Sequence, residues 1–266
     1  LQLHIGRNRP GNRLRVNVIT FPGSNCDHDA HEVFLQRGHD SHLVWHKDTA
    51  LQDPDLVVLP GGFSYGDYLR CGALARFSPI VKEVLDFAEN GGLVLGICNG
   101  FQILTECGLL PGTLLMNRDL AFICRHQNIR VENTQTPFTE GIAAGTVLDV
   151  PIAHKEGNYF IDAAGLKDLL DNGQIIFRYC DRQGETTPEA NPNGSLDNIA
   201  GICNKRRNVL GMMPHPERAA TATVTSHDGA RIFAALESHF GAGGREKQLI
   251  RLRQNGFREP QRSLRR

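Results

Sequence analysis

The feature that most constrains this chain is an apolar strand that runs directly into a helix at a cysteine. Residues 93–97 (Leu-Val-Leu-Gly-Ile) are apolar on both faces, which is typical of a buried strand in a parallel sheet. The helical pattern of 99–107 begins one residue after Cys98. Gly96 and Gly100 flank the cysteine, so no Cβ crowds the sharp turn. This is the cysteine form of the Gly-x-nucleophile-x-Gly elbow, and it places the sulfur at a helix N-terminus, where N–H groups favour a thiolate.

The order of the predicted elements defines a fold class. We predict strands and helices alternating through the first half of the chain, with strands at 16–21, 41–45, 56–59 and 93–97 and helices at 27–36, 79–89 and 99–107. This order predicts an α/β fold with a doubly wound, mostly parallel, flavodoxin-like sheet. The second half contains shorter strands, at 174–180, 199–204 and 209–212, before a last helix at 227–239. Ser24 or Asn25 is expected to cap the first helix.

Charge divides the chain into an acidic body and two basic ends. The formal net charge is zero, so the +6 of 241–266 and the +4 of 1–15 leave −10 for 16–240. A nucleic-acid binder spreads a basic face over its fold, so this distribution argues against that class. We expect a basic N-terminal extension (1–15), one folded domain (16–240) and a basic C-terminal tail (241–266). The tail is either a solvated extension or an arm that docks on an anionic partner.

Cysteine usage and the N-terminus indicate a cytoplasmic protein. Seven cysteines without a Cys-x-x-Cys pair support reduced thiols instead of a disulfide framework or a structural zinc site. Residues 1–15 lack the apolar core of a secretory signal, and no apolar run approaches the roughly 18 residues of a membrane span. The chain begins with Leu and not Met, which suggests a non-standard start, processing or trimming. No carboxylate-rich metal-binding pattern surrounds His39, His42 and His46, so we expect ordinary surface histidines and no metal site.

A histidine late in the chain is the expected base for Cys98. Residues 213–217 (Met-Pro-His-Pro-Glu) follow strand 209–212 directly, at the strand edge where sites gather in doubly wound sheets. The proline at 216 favours an extended conformation for His215, and residues two apart in an extended segment face the same side. Glu217 is therefore placed to orient the imidazole. Cys98, His215 and Glu217 form a predicted catalytic triad.

A glycine-rich loop after strand 56–59 is the expected oxyanion-binding element. Its sequence, Pro-Gly-Gly-Phe-Ser-Tyr-Gly-Asp, lets N–H groups turn toward a ligand without side-chain obstruction. We assign one donor to the backbone of Gly62 and Phe63 and a second to the N–H of Asn99. A glycine turn without a catalytic role is the alternative.

Two neighbouring patterns compete with this interpretation. The glycine-rich loop also matches Gly-x-Ser-x-Gly at Ser64, the signature of a serine nucleophile. A Pro-Gly pair interrupts the strand before this serine, so we prefer Cys98. Residues 21–27 (Phe-Pro-Gly-Ser-Asn-Cys-Asp) open a helix and form either an ordinary capped turn or a site for a phosphate or carboxylate.

These stretches resemble the class I (triad) glutamine amidotransferases and, more closely, the glutaminase-subunit family of phosphoribosylformylglycinamidine synthase in de novo purine biosynthesis. The matching segments are 21–27, 59–67, 96–102, 115–118, 152–157 and 213–218. The resemblance implies that Cys98, His215 and Glu217 are nucleophile, base and orienting acid, and that Gln102 helps to hold glutamine. It also implies that the segment of His154 and Glu156 lies toward a synthetase partner; a plain surface loop is the alternative.

The same resemblance implies a reaction and its partners. A thioester on Cys98 would convert glutamine to glutamate and ammonia, and the ammonia would pass to a large ATP-dependent synthetase subunit, with a small third subunit. We expect no cofactor in this chain, which lacks a Gly-x-x-x-x-Gly-Lys-[Ser/Thr] loop, and place ATP and Mg²⁺ on the synthetase. No nucleic-acid or membrane partner is expected. The alternatives are an amidotransferase feeding another acceptor, a cysteine hydrolase or peptidase acting on other amides, and a thiol redox sensor.

Overall fold

A computed structural model of the chain describes residues 13–221 and 226–241. The strands are β1 (Arg15–Thr20), β2 (Asp40–Trp45), β3 (Leu56–Leu59), β4 (Leu93–Ile97), β5 (Thr113–Leu115), β6 (Ile123–Val131), β7 (Val147–His154), β8 (Asn158–Phe160), β9 (Ile175–Tyr179), β10 (Ile199–Cys203) and β11 (Val209–Met212). The helices are α1 (Asp27–Gln36), α2 (Pro79–Glu89), α3 (Asn99–Glu106), α4 (Ala163–Asp171) and α5 (Ala230–Gly241). Most of the two basic ends lies outside the described residues.

One sheet of nine strands organises the molecule, in the order β2-β1-β3-β4-β11-β10-β9-β6-β7. The first five strands are parallel and follow the flavodoxin-like order, which confirms the predicted fold class. The last four strands pair antiparallel with their neighbours. A separate two-stranded sheet joins β5 to β8. The extra short strands predicted for the second half therefore extend the main sheet instead of forming a second domain.

The parallel half is buried on both faces because its central strands are apolar throughout. Every residue of β3 and β4 is buried, and the apolar side of α2 packs against the same core. The buried rings of Phe34 in α1 and Phe233 in α5 meet edge to face at 5.2 Å. The Glu237 carboxylate in α5 accepts hydrogen bonds from the Arg37 guanidinium and bonds with the His39 imidazole, which fixes α5 against α1.

Some local predictions need correction. Helix α1 begins after Cys26 and has no side-chain cap, because the Ser24 hydroxyl instead accepts the N–H of Phe21. The last helix begins at Ala230, three residues later than predicted. His39 and His46 are buried and hydrogen-bonded, so they are not surface histidines. Among the described helices, none has the length and apolarity needed to cross a bilayer.

Candidate active site

Cys98 lies at the turn between β4 and α3 in a strained backbone conformation. Its φ is +50° and its ψ is −105°, values that a residue with a Cβ rarely adopts. The glycines on either side are needed for steric reasons: a Cβ on Gly100 would lie 1.9 Å from the Leu59 carbonyl oxygen, and one on Gly96 would lie 2.9 Å from the backbone of Gly100. The predicted elbow is therefore present, and it holds the sulfur at the N-terminus of α3.

Neighbouring strands hold the nucleophile in place. The N–H of Cys98 donates to the Met212 carbonyl at the end of β11, over 2.8 Å. Its Sγ lies 3.6 Å from the carbonyl oxygen of Ala153 in β7, a long hydrogen bond. The thiol is buried but makes no strong hydrogen bond, so it is available to a base.

His215 and Glu217 form a buried pair just past β11. Nδ1 of the imidazole and Oε1 of the carboxylate are 2.6 Å apart, and both side chains are almost completely buried. The N–H of His215 donates to the Pro151 carbonyl in β7, two residues before Ala153. The end of β7 therefore flanks both the histidine and Cys98. Within the described residues, Nε2 of His215 has no hydrogen-bond partner, which leaves it able to accept the thiol proton.

The surroundings of His215 favour its charged form. Burial opposes the charge, but the Glu217 carboxylate and the sulfur atoms of Cys98 and Cys26 outweigh it, so the pKa of His215 lies well above its ordinary value. An imidazolium next to Cys98 favours the thiolate, and it carries the proton that a departing amine requires.

Cys26 is a second thiol beside the imidazole; it belongs to the 21–27 motif, for which the sequence predicted no role in the triad. The sulfur of Cys26 and the ligand atoms of His215 and Glu217 all lie within 4.8 Å of one another. Burial raises the pKa of the Cys26 thiol, which keeps it protonated and unsuited to be the nucleophile. A Cβ on Gly61 would lie 2.6 Å from the imidazole and 3.1 Å from this sulfur, so the backbone of the glycine-rich loop closes over both groups.

These three side chains are also a possible donor set for a metal ion, the one such group among the described residues. Thiolate, imidazole and carboxylate are all ligands that zinc accepts. The hydrogen bond between Nδ1 and Oε1 already occupies two of the donors, however, and the Cys26 thiol is protonated. The arrangement fits a hydrogen-bonded acid–base pair better than a metal site.

The glycine-rich loop packs against the turn that precedes α1. The N–H of Phe63 donates to the Gly23 carbonyl over 3.0 Å, so this predicted oxyanion donor is occupied. Gly62 has a φ of +144°, a conformation open to glycine, and its N–H has no acceptor within the described chain. The first-turn N–H of Asn99 likewise has no acceptor there. Gly62 and Asn99 are thus the predicted donors that stay available. Residues 21–27 form a turn that supports this loop, without the side-chain cap expected for it.

A chain of side-chain hydrogen bonds joins the nucleophile helix to two loops. Oδ1 of Asn99 accepts the N–H of Ser64, and Nδ2 of Asn99 donates to the side-chain Oε1 of Gln102 over 2.9 Å. Nε2 of Gln102 donates to the backbone carbonyl of Glu156 over 2.6 Å. The predicted binding residues are therefore connected. The Ser64 hydroxyl has no partner among the described residues, so no base activates it.

The side chains of His154 and Glu156 make hydrogen bonds within the chain. His154 is 3% exposed, and its Nε2 lies 3.0 Å from Nδ2 of Asn193. Burial and the nearby His215 charge lower the pKa of His154 to about 3, which keeps it neutral. Glu156 is half-buried, and its carboxylate accepts the N–H of Cys71 over 3.4 Å. The partner contact expected for this segment stays a prediction.

Comparison with known proteins assigns a class to this site. Residues 13–238 match the family model of the CobB/CobQ-like glutamine amidotransferase domain. This match spans the whole sheet and contains the elbow, the His–Glu pair and the glycine-rich loop. The class is therefore that of the glutamine amidotransferases.

Individual relatives narrow the class. The chain is 57% identical over 224 residues to the phosphoribosylformylglycinamidine synthase subunit PurQ of Koribacter versatilis, covering 84% of this chain and 97% of that protein. It is 58% identical over 217 residues to the subunit of the same name from Synechocystis sp., covering 81% and 97%. A chain in the structure of PurLQS from Thermotoga maritima superposes with a TM-score of 0.75 at 41% identity, covering 85% and 99%. The chain belongs to the family of the phosphoribosylformylglycinamidine synthase subunit PurQ, which confirms the resemblance drawn from the sequence.

Proposed function

We propose that this chain hydrolyses glutamine at Cys98 and supplies the ammonia to an ATP-dependent synthetase that makes phosphoribosylformylglycinamidine in purine biosynthesis. The single observation that carries the chemistry is the strained cysteine at the end of β4, beside the buried His215–Glu217 pair that follows the adjacent strand β11. We infer the destination of the ammonia from the family, because its members are named as a subunit of phosphoribosylformylglycinamidine synthase.

The first half-reaction forms a thioester. The Cys98 thiolate attacks the side-chain amide carbon of glutamine, and backbone N–H groups of Gly62 and Asn99 stabilise the oxyanion; one such donor is typically worth about 3–4 kcal/mol. The C–N bond then breaks as the His215 imidazolium gives its proton to the leaving amine. Ammonia departs, a γ-glutamyl thioester remains on the sulfur, and the imidazole is neutral.

The second half-reaction returns the enzyme to its starting state. Neutral His215 takes a proton from water as the oxygen bonds to the thioester carbon. The C–S bond breaks, glutamate leaves, and the thiolate–imidazolium pair is restored. Glu217 holds the imidazole by Nδ1 throughout, so that Nε2 faces the reacting atoms. No step requires a cofactor in this chain, and we place ATP and Mg²⁺ on the synthetase.

An exposed apolar surface beside the site supports docking on that synthetase. We call it the aromatic rim and define it as Phe63, Tyr68, Leu69, Leu120 and Phe122, all solvent-exposed. The rings of Phe63 and Phe122 are 6.4 Å apart, and Phe63 follows the donor Gly62 in the chain. Exposed apolar patches of this kind mark protein interfaces. In the proposed assembly the rim docks on the synthetase with the mouth of the site toward it, and a small third subunit completes the assembly.

A comparison of glutamine with free ammonia tests the proposal. With the synthetase, its nucleotide substrate and ATP present, Cys98→Ala should abolish product formation from glutamine and leave product formation from ammonium chloride unchanged. Cys107→Ala, which changes a thiol away from the elbow, is the matched control and should leave both activities intact. Retained glutamine-dependent turnover in Cys98→Ala would remove the nucleophile assignment. Failure of ammonia to restore product formation would remove the ammonia-supply role.

The alternatives predict other outcomes. An amidotransferase for another acceptor would release ammonia from glutamine but form no product with this synthetase. A cysteine hydrolase would prefer other amides in a substrate panel. A redox sensor would have no turnover at all. All seven cysteines lie within the described residues and are free thiols, which supports a cytoplasmic location.

A further inference from the structure

Two buried asparagines hold the connection between β7 and β8, residues 155–157. Asn117 reaches it from one side: its Nδ2 donates to the His154 carbonyl over 2.9 Å, and its Oδ1 accepts the N–H of Gly157 over 3.0 Å. The backbone N–H of Asn117 also donates to the Lys155 carbonyl over 2.8 Å. A single residue therefore satisfies two backbone groups of this short connection and one of the strand residue before it.

Asn193 reaches the connection from the other side. Its Nδ2 donates to the Gly157 carbonyl over 2.8 Å and lies 3.0 Å from Nε2 of His154. Because His154 is neutral, Nε2 accepts this hydrogen bond and the ring proton is on Nδ1. Oδ1 of Asn193 accepts from both the N–H and the hydroxyl of Ser195, which fixes the amide orientation. Asn193 is fully buried, so water cannot replace these bonds.

The third carbonyl of the connection, that of Glu156, is bonded by neither asparagine and points to the nucleophile helix α3. It accepts Nε2 of Gln102, four residues past the nucleophile, over 2.6 Å. Gln102 in turn is bonded to Asn99, whose N–H is a proposed oxyanion donor. The position of the connection therefore sets the position of the side chains that surround a substrate on Cys98. Among the described residues, neither asparagine forms a hydrogen bond to His215, Glu217 or Cys98.

We propose that Asn117 and Asn193 are positioning residues that hold residues 155–157 against Gln102 and thereby form the wall of the pocket that binds the amino-acid end of glutamine. The inference rests on the proposed glutaminase function. It assigns a role to the Asn-Pro-Asn-Gly-Ser turn at 191–195 and to the Leu-Met-Asn-Arg stretch at 115–118, neither of which contributes to the chemical steps.

Steady-state kinetics of the full chain assembled with the synthetase test this role. Asn193→Ala and Asn117→Ala should each raise the KM for glutamine by about tenfold, the factor expected from losing about 1.4 kcal/mol of positioning, with kcat changed by less than about twofold. Iodoacetamide is too small to need the pocket wall, so it should alkylate Cys98 at the wild-type rate. Ammonia-dependent product formation should be unchanged, which shows that the assembly is intact.

Asn208→Ala is the matched control. This asparagine is also buried and also holds two backbone carbonyls, those of Ala88 and Gly92, each over 2.8 Å, but it lies at the opposite end of β4. It should lower thermal stability and leave the KM unchanged. An unchanged KM in both test variants, an equal rise in Asn208→Ala, or a fall in kcat alone would overturn the inference. If Asn193→Ala does not fold, Asn117→Ala decides. Failure of the wild-type assembly to release ammonia from glutamine would instead refute the proposed function.

Discussion

The charge on His215 depends on one carboxylate that has no access to solvent. Burial alone would keep the imidazole neutral, since transfer of a charge from water into the protein interior is costly. The Glu217 carboxylate, 2.6 Å from Nδ1, stabilises the charged imidazole and, together with the sulfur atoms of Cys98 and Cys26, raises the pKa of His215. The triad thus works as a coupled unit in which the acid sets the protonation state of the base.

Glu217→Gln should therefore shift the pH dependence of glutamine hydrolysis. Without the carboxylate, the pKa of His215 falls, so the imidazolium is lost at lower pH and the alkaline limb of the kcat/KM profile moves to lower pH. We also expect kcat to fall by about 10²–10⁴-fold, the usual contribution of acid–base catalysis. The measurement is ammonia release between about pH 6 and about pH 10, with Glu189→Gln at an exposed position as control. An alkaline limb that stays in place or moves upward would contradict the role of Glu217.

The strained cysteine and the histidine beside it could be predicted from the sequence, but their buried neighbours could not. Cys98 and His215 each stand in a local pattern, an elbow or a Pro-His-Pro turn, that imposes a backbone conformation on its own residue. Cys26 and Asn193 act through contacts with distant parts of the chain, which local patterns do not encode. The burial of His154 escapes prediction for the same reason: only the tertiary fold covers it.

Contacts between elements, more than the elements themselves, give the site its shape. The boundaries of β3, β4, α2 and β11 follow the predicted ones because an apolar run ends there at a clear turn signal. The pairing of the second half was not predictable, since β6, β7, β9 and β10 are joined out of sequence order across the sheet. That pairing brings the end of β7 beside Cys98, and no local sequence pattern predicts the pairing.

The contact between α3 and β3 gives a prediction at this scale. A Cβ on Gly100 would lie 1.9 Å from the Leu59 carbonyl, so Gly100→Ala must push the helix away from the strand. We expect a loss of about 3 kcal/mol in the free energy of unfolding, typical of severe overpacking, together with loss of Cys98 alkylation by a glutamine-mimicking chloroketone.

Gly108→Ala is the control for this change. Gly108 follows the same helix at a φ of +74°, and a methyl group added there would meet no atom within 4 Å beyond its chain neighbours, so only backbone strain of about 1 kcal/mol is expected. Urea unfolding monitored by circular dichroism measures both variants. Equal destabilisation by the two substitutions would show that the close approach of α3 to β3 is not what requires glycine at the elbow.

On the scale of the whole molecule, exposed apolar side chains lie beside the edge of the sheet that holds Cys98 and His215. Tyr68 is 74% exposed and Leu69 is 83% exposed, directly after the glycine-rich loop. Four of the five residues 65–69 have positive φ values: Tyr65, Gly66, Asp67 and Leu69. This backbone conformation keeps the side chains of Tyr68 and Leu69 in solvent. Their exposure is energetically unfavourable unless a partner covers them.

The aromatic rim should therefore dominate binding to the synthetase. Exposed aromatic and apolar anchors at an interface commonly contribute about 2 kcal/mol each, so Tyr68→Ala should raise the Kd for the synthetase by roughly thirtyfold. Leu35→Ala, which removes an exposed apolar side chain near the far end of α1, should leave the Kd unchanged. Isothermal titration calorimetry gives both values.

Because the rim borders the oxyanion loop, Tyr68→Ala should also lower glutamine-dependent product formation at limiting synthetase while ammonia-dependent formation persists. Equal effects of the two substitutions would mean that the synthetase docks on another face, and the mouth of the site would then open to solvent in the assembly.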